Sequence, residues 1–308
     1  MCIILSNSVG WVGMQEAVRL MRKANSPLDV AERGIRLVEE DPDVHTVGYG
    51  GWPNLNCEME LDASIMDGDS LSAGAVGALK GFLHPISVAR QVLDRLPNVL
   101  LVGEGAARFA RESGQERGNL LSDTARKNWQ QRVFDHMSAE QRGAYPDVEL
   151  ISLSHLCMDP ELERGTTCYL VVDDRGTVVS GISTSGLAWK YPGRLGDSPL
   201  IGAGNYADSR FGAAACIGTG EMTIRAGTAR SVVLYLKMGM SVEEACYEAL
   251  SDLRALKGGL LGDVTLFCID KWCRHFVLCV GEQAVRQYCI WTDGMRFPEQ
   301  RQAQYVPL

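Results

Sequence analysis

The stretch TCYLVVD–DRG–TVVSGIST, residues 167–184, constrains the fold more than any other. Two runs rich in β-branched and small apolar residues flank a three-residue turn, the pattern of a hairpin of buried strands. A hairpin buried on both faces needs covering layers, and the chain carries amphipathic segments to supply them. MQEAVRLMRKA places Ala17, Leu20, Met21 and Ala24 on one helical stripe. SPLDVAERGIRLVEE repeats the pattern, with Ser26 as a cap and Pro27 in the first turn. HPISVARQVLDRL begins a third helix at Pro85, and NVLLVGEGAARFARES reads as strand, tight turn and fourth helix. EMTIRAGTARSVVLYLKMG reads as one helix, and SVEEACYEALSDLRALK as another, opened by a capping box of Ser241 and Glu244.

Further strands are expected at residues 3–7, in ELDASIMDG, in FGAAACIG, and at 263–269, 275–280 and 286–292. AGAVGALKG is a small-residue stretch and GDSPLIGAGNYAD a loop. From 115 to 165 the chain is polar, poor in glycine and irregular in period, as expected of a surface helix and linker between two differently organised halves. No internal repeat is present. The pattern predicts a layered sheet with helices outside it.

Charge and motifs exclude several function classes. Thirty basic against 38 acidic residues give a net charge of −8, which offers nucleic acid no electrostatic footprint. No run reaches the roughly 18 apolar residues of a membrane span. The start MCIILSNSVG lacks a basic region before its apolar run, so no signal peptide is expected and the expected location is cytoplasmic. Ten cysteines are scattered without a CxxC pair, which fits a reducing compartment. Cys268, Cys273 and Cys279 fall in a hairpin expected to turn at Asp270-Lys271, where cysteine packs as a small hydrophobe. The five histidines show no metal-ligand spacing, and neither a metal nor an organic cofactor is expected. GEGAARFA lacks the spacing of a phosphate loop, which counts against a nucleotide-binding enzyme, and GISTSG is not a nucleophile elbow. Glycine stands out at 33 residues, above the usual roughly 7%, and marks turns and close backbone approaches.

Residues 165–221 hold the chemistry. Thr166 follows a glycine directly before the hairpin, and Thr184 and Ser185 end the returning strand, where pairing can bring them beside it. A glycine-rich loop carries Arg194 and Asp197 three residues apart. Such a pair can hold the carboxylate and ammonium of an amino acid, or can simply form an internal ion pair that fixes the loop. A short strand then ends in GTGE before a helix and presents free backbone N–H groups.

These residues resemble the glycosylasparaginase and plant-type asparaginase/isoaspartyl peptidase family of N-terminal-nucleophile hydrolases. The resemblance runs through VGYGGWPN, LDASIMDG, HPISVARQVL, LLVGEGA, STSG, PGRLGDSPLIGAGNYAD and GTGE, almost the whole chain. LDASIMDG looks closer to the glycosylasparaginase branch, whereas glycine before the threonine looks plant-type. The resemblance implies an α+β fold, a four-layer αββα sandwich. It also implies self-cleavage between Gly165 and Thr166 into parts of 165 and 143 residues of one domain, 1–165 and 166–308. The freed Thr166 would supply both hydroxyl nucleophile and α-amine base. Thr184 would orient it, Arg194 would hold the substrate α-carboxylate, Asp197 its α-ammonium, and the Gly218 N–H the oxyanion. Substrates would be N-acetylglucosaminyl-asparagine, asparagine or β-aspartyl dipeptides, and the assembly a dimer of cleaved units.

Three departures from the family pattern stand out. Ile217 occupies a position where the family has a threonine that donates to the oxyanion, and Thr219 is the candidate substitute if the strand stays extended through Gly218. Cys168 replaces a glycine two residues after the nucleophile, leaving Thr166-Thr167 adjacent, although the eighteen-residue step to Thr184 favours Thr166. A tryptophan expected near the N-terminus is offered by Trp11, while alignment of LSNS puts Ser8 there. Trp52 is placed at the site mouth and Thr46 near the nucleophile. Ile217 and Cys168 also motivate the alternative of a poorly processed amino-acid-binding protein.

Overall fold

The computed structural model describes residues 1–158, 165–281 and 287–308. Its strands are β1 (Ile3–Asn7), β2 (Leu61–Asp67), β3 (Ala73–Leu79), β4 (Leu100–Val102), β5 (Thr167–Val172), β6 (Val178–Thr184), β7 (Asn205–Asp208), β8 (Gly212–Gly218), β9 (Val264–Asp270), β10 (His275–Val280), β11 (Gln287–Thr292), β12 (Glu299–Gln302) and β13 (Gln304–Val306). Its helices are α1 (Trp11–Arg22), α2 (Pro27–Glu40), α3 (Pro85–Arg95), α4 (Gly103–Glu112), α5 (Asp123–Arg132), α6 (Ala139–Ala144), α7 (Gly220–Ala226), α8 (Thr228–Lys237) and α9 (Val242–Arg254). An eight-stranded sheet has the order β12-β11-β1-β5-β6-β2-β3-β4, and a five-stranded sheet the order β13-β10-β9-β8-β7. The expected hairpin β5–β6 thus lies in the middle of the larger sheet. Strands β1 and β2 of the first half flank it, and β11 and β12 from the end of the chain extend the same sheet beyond β1.

Side-chain alternation explains why the hairpin sequence is apolar throughout. On β5, Tyr169 and Val171 pack with α1–α4 on one face of the large sheet. Cys168, Leu170 and Val172 pack instead against Ala215, Phe267 and Ile269 of the small sheet. The small sheet's other face, Ala214, Cys216 and Leu266, lies against α8 and α9. Cys168, met as a departure at the nucleophile, is therefore core filler between the sheets, fully buried. Among the described residues, no helix is long and apolar enough to cross a membrane.

Helices α1 and α2 cross closely because both carry glycine at the contact. A Cβ on Gly13 would overlap the Gly34 carbonyl, while Gly34 itself lies against the Tyr169 ring. Helix propensity alone would make Gly13→Ala stabilising by about 1 kcal/mol. Overlap with rigid backbone outweighs that, and a net destabilisation of about 1–3 kcal/mol is expected in a urea melt. An unchanged or raised midpoint would disprove the close crossing.

Several elements differ from the sequence reading. The single helix expected over 221–239 is two, because Gly227 adopts a left-handed φ of 61° and ends α7. AGAVGALKG forms β3; its small residues admit α3, since a Cβ on Gly74 would overlap the Ala89 carbonyl. The loop GDSPLIGAGNYAD ends in edge strand β7, and β12 and β13 follow the three closing strands expected. Arg286, the first residue of the expected strand 286–292, lies outside the described residues, as do 159–164 of the linker. The rest of the linker carries α5 and α6 and is docked. Trp129 and Val133 pack with Leu55 and Trp189, and the Trp129 indole N–H donates to the Leu55 carbonyl at 3.1 Å.

Candidate active site

Antiparallel pairing of Thr167 with Ser183 brings the chain entering β5 beside the end of β6. There the Thr184 hydroxyl donates to the Gly165 carbonyl at 2.8 Å and accepts the Gly186 N–H at 2.9 Å. The carbonyl of the Gly165–Thr166 peptide bond is thus polarised by a hydroxyl whose direction is fixed by a backbone amide. Gly165 admits no side chain, because a Cβ would overlap the Thr46 hydroxyl. Thr46 is held in turn through its carbonyl, which accepts from Ser185 Oγ at 2.8 Å.

One cavity is lined by Gly165, Thr166, Thr184, Arg194, Asp197 and Gly218, with Gly186, Leu187, Gly196 and Ser198 completing its wall. Six positions singled out from the sequence therefore converge, from three separate segments. The large sheet supplies the threonines through its central hairpin. The small sheet supplies Gly218 at the end of β8, and the connecting loop supplies Arg194 and Asp197.

The internal Arg194–Asp197 ion pair considered above is not what forms. Arg194 Nε and Nη2 both donate to Glu221 Oε1, at 3.0 and 2.8 Å. Its Nη1 packs against Gly186 and Gly196 in the cavity wall. Glu221 thus occupies one edge of the guanidinium and leaves the cavity edge for a ligand anion. Asp197 accepts instead from the Thr223 hydroxyl at 2.7 Å. Burial pushes its carboxyl up to about 6, against the opposing pull of the Thr223 hydrogen bond and the Arg194 charge. A cation and a carboxylate on one small cavity are suited to a zwitterionic amino acid.

Other residues were not signalled by the sequence. Ser198 lines the cavity with a buried Oγ that has no hydrogen-bond partner, a donor ready for a ligand. Lys190 is fully buried beneath the loop; it donates to the Glu60 carbonyl at 2.9 Å and lies 3.9 Å from Asp62. Burial pulls its ammonium below the ordinary lysine range. A lysine between tryptophan and tyrosine reads as surface, and only the fold buries it.

Four residues named from the sequence stand elsewhere. Thr219 is buried as the N-cap residue of α7, its N–H given to the Asp263 carbonyl at 2.8 Å. The extended backbone that would carry its hydroxyl to the site is absent, because Gly218 has φ 124°. Ile217 packs in the core between the sheets. Trp11 is 37% exposed at the start of α1, and neither it nor Thr219 is among the cavity's lining residues. Thr46 does not line the cavity but stands beside the Gly165–Thr166 junction as expected, its hydroxyl against Gly165. Trp52 stacks edge-on against Trp189 at 5.4 Å.

A family model described as Asparaginase matches residues 12–288. The chain is 36% identical to the N(4)-(β-N-acetylglucosaminyl)-L-asparaginase of Elizabethkingia miricola over 92% of its own length and 76% of that protein's. It is 34% identical to the isoaspartyl peptidase/L-asparaginase of Mus musculus, over 83% of this chain and 76% of the relative. With the plant-type L-asparaginase of Pyrococcus horikoshii it shares 37% identity, over 93% and 91%.

Proposed function

Because the chain belongs to the asparaginase family, we propose that it is a self-processing amidohydrolase that releases L-aspartate from asparagine and its β-linked derivatives. The observation that carries this reading is the Thr184 hydroxyl on the Gly165 carbonyl, at the mouth of a cavity shared with Arg194 and Asp197. The Thr166 hydroxyl attacks that carbonyl and the peptide nitrogen leaves with the hydroxyl proton, giving an ester and a free α-amine at Thr166. Water then cleaves the ester into a free carboxyl at Gly165 and the restored Thr166 hydroxyl. With a pKa of about 7.7–8.0, the amine is a base at working pH. It takes the proton from its own hydroxyl, which then attacks the side-chain amide of the substrate. The amine leaving group departs protonated, and water hydrolyses the β-aspartyl ester.

In this reading Arg194 Nη1 holds the α-carboxylate, Asp197 the α-ammonium, and the Gly218 N–H the oxyanion. The three apolar clusters, on and between two sheets, support a four-layer αββα sandwich made by 1–165 and 166–308 together. The glycosylamine, ammonia or amino-acid leaving group lies beyond the shared aspartyl part, and the relatives' names include enzymes for all three. An intact mass spectrum of purified, incubated protein tests the reading, and two fragments split before Thr166 are expected. A chain still whole after long incubation, with no aspartate formed, sinks it.

Asp197 sets a second test. Its carboxyl is charged above about pH 6 and neutral below, so its hold on an ammonium fails on the acid side. The amine base is also lost on that side, so kcat/KM should fall more steeply below about pH 6 than above it, towards two protons rather than one. Thr223→Val removes a hydrogen bond that lowers the Asp197 pKa, and the steepening should move to higher pH. A break that stays where it was excludes Asp197 as the titrating group.

A further inference from the structure

We infer that Asn7 is a positioning residue for the nucleophile, its carboxamide standing in for a missing peptide unit of the sheet at Thr166. The inference rests on the reading of Thr166 as the residue freed by cleavage.

Strand β1 pairs with β5 from Ile3↔Val172 to Ser6↔Tyr169, and there the pairing ends. On its other edge β1 continues one residue further, with Asn7 opposite Tyr288 of β11. The β1 backbone has therefore parted from β5 just where β5 approaches the cavity. Backbone groups of β5 on that edge need partners once buried. Side chains of β1 provide them. Asn7 Nδ2 donates to the Thr166 carbonyl at 2.6 Å, and Asn7 Oδ1 accepts the Cys168 N–H at 3.2 Å. Ser6 Oγ donates to the Cys168 carbonyl at 2.6 Å. A primary amide sets an N–H donor and a carbonyl acceptor in one plane, as a peptide group does, so Asn7 extends the ladder by one rung. It is 2% exposed, and both its contacts are shielded from water.

The need for such a rung follows from the chemistry. A terminal residue is joined to the fold on one side only, and termini fray unless tied down. Thr167 is held by pairing with Ser183 on the opposite edge, but that edge leaves the Thr166 carbonyl unclaimed. Fixing that carbonyl fixes the plane of the Thr166–Thr167 peptide, and with it the direction from which amine and hydroxyl face the cavity. Reacting groups misplaced by about 1 Å can lose about 10²-fold in rate. Asn7 does not itself line the cavity and bonds neither Arg194 nor Asp197, reaching the site only through the Thr166 carbonyl, so its effect should fall on kcat and cleavage rather than on substrate binding.

Asn7→Asp keeps shape and the acceptor for Cys168 but turns a lone pair towards the Thr166 carbonyl. At pH 8 we expect slower self-cleavage and a kcat lower by about 10- to 100-fold, with KM close to that of the unaltered chain. Protonation of the introduced carboxyl restores a donor, so the deficit should shrink as pH falls. Asn7→Leu, similar in volume with no donor, should show the same loss in kcat with no recovery at low pH. The recovery separates positioning from misfolding, which protonation would not repair. Equal kcat in the Asp and unaltered chains, or a loss in both variants shared between kcat and KM and independent of pH, overturns the inference. If the unaltered chain neither cuts itself nor forms aspartate, the reading of Thr166 has failed first.

Discussion

Thr166→Ala is expected to leave a single 308-residue chain with asparagine hydrolysis reduced by about 10⁴-fold or more. Both losses have one cause. The hydroxyl that would attack the Gly165 carbonyl is gone, so no amine is freed, and the same hydroxyl is absent from turnover. Size is not the cause of the loss, because Thr166 lies at the cavity rather than in an apolar cluster. Intact mass and an aspartate-release assay read the two effects separately. Cleavage that persists in Thr166→Ala would move the nucleophile elsewhere, with Thr167 next in line. Thr167 is fully buried in β5, and its Oγ1 has no hydrogen-bond partner. A strand interior gives it neither a polarised carbonyl nor a cavity.

Arg194→Met should behave differently, and the contrast is informative. The change removes the charge facing the substrate carboxylate and breaks the bridge to Glu221. Truncating one member of such a pair costs about 2–5 kcal/mol, so kcat/KM should fall by about 10²- to 10³-fold. Self-cleavage should continue, because Arg194 makes no hydrogen bond to Gly165 or Thr166 and the scissile carbonyl is held by Thr184. A cleaved, folded and nearly inactive variant is the expected product, read by mass, melting temperature and kinetics. Full activity in Arg194→Met would show that the substrate carboxylate binds elsewhere. A chain that fails to cut would mean that Arg194 supports the processing geometry as well as the substrate.

Much of the site was legible because its parts are local. Thr166 and Thr184 stand at the two ends of one hairpin, and hairpin register brings such ends together without help from the rest of the fold. Arg194 and Asp197 share one short loop, so their proximity also follows from the chain itself. What they bind there does not. The partner of Arg194 is Glu221, from the start of α7, and the partner of Asp197 is Thr223 on the same helix. Spacing along the chain places Arg194 near Asp197 but does not fix which way either side chain turns. Likewise Thr219 looked able to replace a missing donor until the φ of Gly218 turned the chain away.

The sequence by itself determined the central hairpin, the helices that cover it, the family, and six of the residues brought to the cavity. Each of these rests on local periodicity or on a motif whose members lie close along the chain. Only the tertiary structure decided what the buried polar groups do. Asn7 reaches Thr166 across 159 residues of sequence, and Lys190 reaches the Glu60 carbonyl across 130. A buried donor or acceptor must find a partner wherever the packing of the sheets provides one. That partner is set by which strands lie side by side, a relation between distant segments that no local pattern records.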